Sequence, residues 1–312
     1  MLDVFILPTG RPYIDLVFAD LPGWVAKGTE VFADRFFFTA GGSFNIAANM
    51  HKLGLDVGFC AHLGTDLGSH MIRQEMKRIG LAKDYLIEHD NMMIAVTVSI
   101  SDQDDRAFLS YIDPTPSWTD TALPDHGTPS VVFIPGIPDE PASIFDYIDK
   151  MKAAGSVIVC DSAHIEHKVT ENDIDKLMQR LDVFICNEKE ALALTGRPSP
   201  ERSAVILGKY CPEVVVKMGK RGALTFTGGL VIMERPIKTK TLDTTGAGDG
   251  FNAGYLYGIC EGMLIERRLR LGNVVGGMVV QGMGGHSTGP SLKEALRIEK
   301  ENYGDSGIDD DI

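Results

Sequence analysis

The stretch Asp243-Thr244-Thr245-Gly246-Ala247-Gly248-Asp249-Gly250-Phe251-Asn252-Ala253-Gly254-Tyr255-Leu256 joins features that together build an oxyanion or phosphate site. Small residues at Gly246, Ala247 and Gly248 let backbone N–H groups crowd an anion. The apolar run from Phe251 predicts a buried helix, whose first N–H groups lack internal partners and carry about half a positive charge. Asp249 points into the same space. A carboxylate there can orient a substrate hydroxyl and accept its proton as the oxygen attacks phosphorus, while the amides hold the charge on the transferring group. The same residues also suit a tight loop followed by a helix-start acid, and the stretch alone leaves both readings open.

Such a site needs a rigid edge to stand on. Four short β-branched runs, 131–134, 157–160, 183–186 and 214–218, alternate with helical segments and predict a parallel sheet flanked by helices. Each is followed by a small or polar residue, Gly136, Asp161, Asn187 and Gly219. In an open α/β sheet the carboxyl ends of the strands line the ligand crevice, so these residues fall where chemistry occurs. Nearer the N-terminus, 4–7 reads as a short strand ending at Gly10, with Asp15 following. Ser43 reads as the cap of a helix with Ile46, Ala47, Met50 and Leu53 on one face. A second helix over 66–79 is expected to bury Leu67, Met71, Ile72, Met76 and Ile79 and to stop at Gly80. Residues 16–39 alternate polar and apolar types around Pro22-Gly23, and 93–112 reads as a hairpin with a polar turn at 102–105. Together they predict a small β-sheet lid from segments 12–39 and 93–112, whose Phe108 and Tyr111 are candidates for substrate contact or for packing. Residues 271–280 predict a helix whose glycines let a flat base approach closely.

With 312 residues the chain can bury one large core, or one core plus a small appendage. Lys and Arg total 30 against 43 Asp and Glu, and the formal net charge of −13 argues against DNA, RNA or an anionic membrane as partner. No apolar run approaches the roughly 20 residues that span a bilayer, and Met1-Leu2-Asp3-Val4 lacks the basic start of a signal peptide. A cytoplasmic enzyme is expected. Cys60, Cys160, Cys186, Cys211 and Cys260 are odd in number and widely spaced, which predicts buried thiols rather than a disulfide frame or a zinc site. His164 and His167 form an H-x-x-H pair with no evident third ligand. The acidic, glycine-bearing end, 304–312, is expected to be disordered.

The 243–256 stretch resembles the signature of the ribokinase-like (pfkB) carbohydrate kinases, D-T-x-G-A-G-D followed by small and apolar positions. Gly41-Gly42-Ser43-Phe44-Asn45 resembles their G-G-x-x-N motif. The resemblance covers nearly the whole chain and implies a ribokinase-like α/β fold over 1–300, with a central mostly parallel sheet flanked by helices and the lid segments inserted. It implies ATP-dependent phosphoryl transfer to a hydroxyl of a small sugar, with Asp249 as base and the amides of Gly246, Ala247 and Gly248 as anion hole. On the same resemblance Asp15, Gly41, Gly42 and Asn45 hold the acceptor, Asp15 accepting from adjacent hydroxyls. Asn187 and Glu190, an N-x-x-E motif, would position magnesium and its waters around the phosphates. Gly219 and Gly222 would wall the nucleotide, Asn273 falls at the adenine, and Asp243, Thr245 and Thr288 in the 284–290 loop correspond to residues that hold a monovalent cation, K+, in some members.

Two departures bear on the acceptor. Ser43 stands where some members have a longer loop with a lysine, and Asp161-Ser162-Ala163-His164-Ile165 carries Ala163 and Ile165 at the Asn and Arg positions of a D-x-N-x-R pattern found in several sugar and sugar-acid kinases. A sugar-acid acceptor is disfavoured. So is a sugar phosphate, because Arg11, Lys27, Arg35 and Arg106 are the only basic residues in or beside the lid segments. An unphosphorylated pentose or hexose is expected, and a nucleoside, which presents the same paired hydroxyls, is the alternative. A sugar- or nucleoside-binding protein without turnover is a second alternative, opposed by Asp249, the glycine loop and Glu190. No G-x-G-x-x-G follows the first strand and no G-x-x-x-x-G-K-[ST] occurs, which argues against a dehydrogenase and a P-loop kinase. The exposed lid predicts a homodimer through it.

Overall fold

The computed structural model describes residues 1–101, 106–163 and 171–304. The turn expected at 102–105, the His164 and His167 pair, the tail beyond Gly304 and the side chain of Arg106 lie outside the described residues.

Strand β1 (Val4–Ile6) leads to β2 (Pro12–Ala19), β3 (Arg35–Gly42) and α1 (Ser43–Lys52). Next come β4 (Val57–Phe59), β5 (Ala61–Leu63), α2 (Leu67–Ile79), β6 (Leu86–Glu88), β7 (Ala95–Ser101) and β8 (Arg106–Ile112). Strands and helices then alternate through β9 (Val131–Ile134), α3 (Phe145–Ala153), β10 (Val157–Asp161), α4 (Glu171–Met178), β11 (Val183–Asn187), α5 (Glu188–Thr195), α6 (Pro200–Leu207) and β12 (Glu213–Lys217). The hairpin β13 (Ala223–Thr227) and β14 (Leu230–Glu234) precedes helices α7 (Ala247–Cys260), α8 (Ile265–Val279) and α9 (Leu292–Tyr303).

The main sheet runs β14-β13-β12-β11-β10-β9-β1-β4. Every pairing from β12 to β4 is parallel, and the β13–β14 hairpin adds the antiparallel edge. The four β-branched runs of the sequence are β9 to β12. Helices cover both faces, so neighbouring side chains along one strand enter different cores: Val131, Phe133 and Val159 pack with α1, α7 and α8, while Val132, Ile134 and Ile158 pack with α3 and α4.

A second sheet, β3-β2-β7-β8, is the small sheet predicted from the two lid segments. Its root is tied by Arg11, whose Nη1 donates to Asp113 O at 2.8 Å and whose Nη2 donates to Met93 O at 3.2 Å, just outside the two ends of the β7–β8 hairpin.

Two local expectations need correction. Gly42, at φ +61°, is the N-cap of α1, and Ser43 is the first helical residue, its hydroxyl donating to Gly10 O at 3.2 Å. Leu67 is 74 % exposed because it sits on the outer side of the first turn of α2, beside the Asp66 cap. Helix α7 begins at Ala247, so the glycine loop supplies the first amides of the helix and Asp249 lies in its first turn, as expected. The cysteines are free thiols, buried except for half-buried Cys260. Among the described residues no helix is long and apolar enough to cross a membrane.

Candidate active site

The start of α7 is locked by the loop before α9. Gly246 caps the helix at φ +72°, and a Cβ there would stand 2.2 Å from Gly285 Cα, so the left-handed turn and the close approach both require glycine. Asp243 stitches the two loops, its Oδ1 accepting from Thr245 N at 2.9 Å and its Oδ2 from Gly284 N at 3.1 Å. Thr245 Oγ1 is buried with no hydrogen-bond partner. The Thr288 hydroxyl lies 3.0 Å from both Met278 O and Val279 O and ties the loop to the end of α8.

On the acceptor side, α1 carries Asn45 to Asp249, with Nδ2 donating to Asp249 Oδ2 at 3.1 Å. The other end of that amide, Oδ1, lies 3.1 Å from His286 Nδ1, and His286 Nε2 lies 3.1 Å from Glu75 Oε1. His286 thus links Asn45 on α1 to Glu75 on α2, and its contact with one end of the Asn45 amide leaves the other end to meet Asp249. Asn49, one turn on, holds the same loop by donating from Nδ2 to Gly285 O at 2.9 Å. Asp15 on β2 is buried in space that Gly41 leaves free, since a Cβ on Gly41 would stand 1.9 Å from Asp15 Oδ2. Burial, then the charges of Asp249 and Asp243, push the Asp15 carboxyl up to about 7. Burial also pushes Asp249 up to about 6, against the Asn45 hydrogen bond and the charge of Lys217. Two carboxyls far apart in sequence thus share one field.

The lid aromatics divide by face. Register aligns Phe108 with Ser99, Val17 and Phe37, the face that carries Asp15, and aligns Tyr111 with Val96, Ile14 and Ala40, the opposite face. Tyr111 therefore faces away from the acceptor side, with its hydroxyl donating to Asp113 Oδ1 at 2.9 Å.

At the carboxyl ends of the parallel strands, Asn187 and Glu190 form a capping box on α5. Asn187 Oδ1 accepts from Glu190 N at 2.9 Å, and Glu190 Oε2 accepts from Asn187 N at 2.8 Å and from the Ser162 hydroxyl. The pair thus starts α5 at the strand ends, with both side chains bound to the helix's own first turn. Gly219, at φ +56°, borders open space, whereas a Cβ on Gly222 would stand 2.1 Å from Glu234 O. Asn273 donates from Nδ2 to Glu234 O at 3.2 Å and Arg235 O at 3.1 Å, which binds α8 to the end of β14.

Sequence reasoning gave no role of their own to Lys217, Asn252 and His286, and met Asp161 at the end of a β-branched run and in a departing motif. Lys217 Nζ donates to Asp161 Oδ2 at 2.6 Å and to Asn252 Oδ1 at 3.2 Å, and Asn252 Nδ2 donates to the same Asp161 oxygen. Burial works against the Lys217 charge, and Asp161, then Glu190 and Asp249, more than restore it, so its pKa lies above the ordinary lysine value. The available signal was a lysine ending a β-branched run beside runs ending in Asp161 and Asn187.

The family model described as pfkB family carbohydrate kinase matches residues 12–292. A 2-dehydro-3-deoxygluconokinase of Bacillus subtilis is 28% identical over 263 residues, 78% of this chain and 81% of that protein. Among solved structures, a nucleoside kinase of Methanocaldococcus jannaschii superposes with a TM-score of 0.81 at 16% identity, covering 96% of this chain and 99% of the other. The Arabidopsis thaliana ribokinase complexed with ribose and ATP superposes with a TM-score of 0.79 at 22% identity, with the same coverage of 96% and 99%.

Proposed function

We propose that this chain, which belongs to the pfkB family of carbohydrate kinases and is a sugar kinase, moves the γ-phosphoryl group of ATP to a hydroxyl of an unphosphorylated pentose or hexose. The observation that carries the reading is the Asn45 to Asp249 hydrogen bond of 3.1 Å at the first turn of α7, with Asp15 in the same field. Asp249 takes the hydroxyl proton as the bond from acceptor oxygen to γ-phosphorus forms and the bond from γ-phosphorus to the bridging oxygen of ADP breaks. The amides of Gly246, Ala247 and Gly248 hold the charge on the group in transit. Asp15, lodged in the space that Gly41 leaves, accepts from neighbouring hydroxyls.

Around the nucleotide, Gly219, Gly222 and Asn273 would form walls. Magnesium, held through water by Glu190 beside Asn187, would neutralise phosphate charge. The orphaned Thr245 hydroxyl beside the Asp243 carboxylate suits a potassium ion, with Thr288 as a further oxygen of that loop. The enzyme would work in the cytoplasm as a homodimer joined through the lid.

An unphosphorylated acceptor is favoured because Arg11 is engaged by two carbonyls at the lid root and Arg35 by Asp20, which leaves neither to meet a doubly charged ester. ADP release with ribose, fructose, 2-keto-3-deoxygluconate, adenosine, cytidine, fructose 1-phosphate and fructose 6-phosphate tests the reading. A free sugar is expected to give the highest kcat/KM. Preference for a phosphate ester by tenfold or more, about 1.4 kcal/mol in transition-state binding, would overturn it.

A further inference from the structure

Lys217 closes β12 at the carboxyl edge of the main sheet, in register with Asn187 on β11. Its ammonium gives protons to Asp161 and Asn252, and among the described residues no third acceptor takes the remaining one. The pair is enclosed, with 15 % of the Lys217 side chain and 8 % of the Asp161 side chain exposed. A buried ion pair roughly breaks even for stability against apolar residues of the same volume, so folding alone gives little reason for a cation here. What lies beside the ammonium gives one. A Cβ built on Gly248 would stand 3.5 Å from Lys217 Nζ, and among the described residues, apart from adjacent ones and the helix's own backbone, no other heavy atom comes within 4 Å of it. Among the described residues the ammonium is thus the side-chain group that Gly248 faces at the start of α7. An anion seated on the first amides of α7 meets a fixed positive charge there.

We infer that Lys217 is a further phosphate-binding residue of this kinase: held against Gly248 by Asp161 and Asn252, it takes an oxygen of the γ-phosphoryl group seated on the 246–248 amides. Asp161 and Asn252 are positioning residues that aim it. The lysine exchanges no proton in the reaction. Its charge offsets that of the group in transit. The inference rests on the reading of 246–248 as the anion site.

Calorimetry with a non-hydrolysable ATP analogue, with ADP and with adenosine tests it in the full chain, without turnover. Lys217→Met is expected to weaken the ATP analogue by about 10- to 100-fold, the range of a lost charge-assisted hydrogen bond, with a smaller loss for ADP and none for adenosine. Lys217→Arg should recover part of the loss. Because Lys217→Met leaves Asp161 buried and unpaired, the double variant Asp161→Asn with Lys217→Met separates folding from binding. It should regain the melting temperature and not the analogue affinity. Recovery of both would overturn the inference and leave Lys217 as a structural partner of Asp161, and equal losses for ADP and the analogue would overturn the γ-phosphoryl assignment. The reading of the base is tested separately by Asp249→Asn, which should bind the analogue and lose turnover by about 10²–10⁴-fold.

Discussion

Asp15 and Asp249 are held away from ordinary carboxylate behaviour, and activity and stability should feel that in opposite directions. Both must be ionised to work, Asp249 to take a proton and Asp15 to accept from two hydroxyls. With carboxyls at about 7 and about 6, kcat/KM should fall below pH 7 and more steeply below pH 6, approaching two log units per pH unit as the coupled pair protonates. Both folded pKa values lie above the ordinary 3.8, so the folded protein without ligands binds these protons more tightly than the unfolded chain. Their contribution to stability is complete below about pH 4 and is lost as pH rises through 6 to 7. Melting temperatures of the wild type should therefore decline from pH 5 to pH 8 more than those of Asp15→Asn. A pH-independent kcat/KM between 5 and 8, or identical melting curves for the two proteins, would remove this account.

Helix α7 delivers the glycine loop to the cleft, and its close contact with α8 depends on a stripe of small residues. A Cβ on Gly250 would stand 2.8 Å from Val279 Cγ2, on Gly254 2.5 Å from Leu271 O, and on Gly258 2.9 Å from Arg268 Cγ. Gly254 faces backbone, which cannot rotate away, so Gly254→Ala should destabilise by about 1–3 kcal/mol in urea unfolding despite the better helix propensity of alanine. Unchanged or raised stability would show that the two helices have slack. The β-branched runs and the small residues of 246–248 were legible in the sequence because each is a local pattern set by one element's periodicity or φ, whereas the stripe's contact with α8 shows only in the packing. The N-cap at Gly42 was less legible, since Ser43 has the side chain of a cap and only the three-dimensional path shows it already helical. Lys217 was not legible as a site residue: the sequence places it only at the end of a strand, and its role depends on β10, β12 and α7 converging. His286 depends in the same way on α1, α2 and the loop before α9.

At the scale of the whole molecule, the lid sheet has two unlike faces. The face with Asp15 mixes Thr39, Thr97 and Ser99 with Val17, Phe37 and Phe108, whereas register places Leu16, Phe18, Phe36, Phe38, Val96, Val98, Ile100, Leu109 and Tyr111 together on the other. That apolar face is open to solvent, with Phe36 54 %, Phe38 57 %, Leu109 70 % and Tyr111 59 % exposed. A sheet face of this composition is normally covered, and a second copy supplies an identical apolar surface at no cost in new chemistry. The net charge of −13 on each chain opposes that pairing by long-range repulsion, which salt screens, while burial of the phenylalanines is insensitive to moderate salt. Sedimentation should therefore find a dimer at micromolar protein whose dissociation constant falls as sodium chloride rises from 20 to about 300 mM. Phe38→Glu with Leu109→Glu should give a folded monomer, because both side chains are exposed within one chain and their replacement removes nothing from its core. A monomeric wild type at every salt concentration, or a double variant that still dimerises, would exclude the lid as the interface.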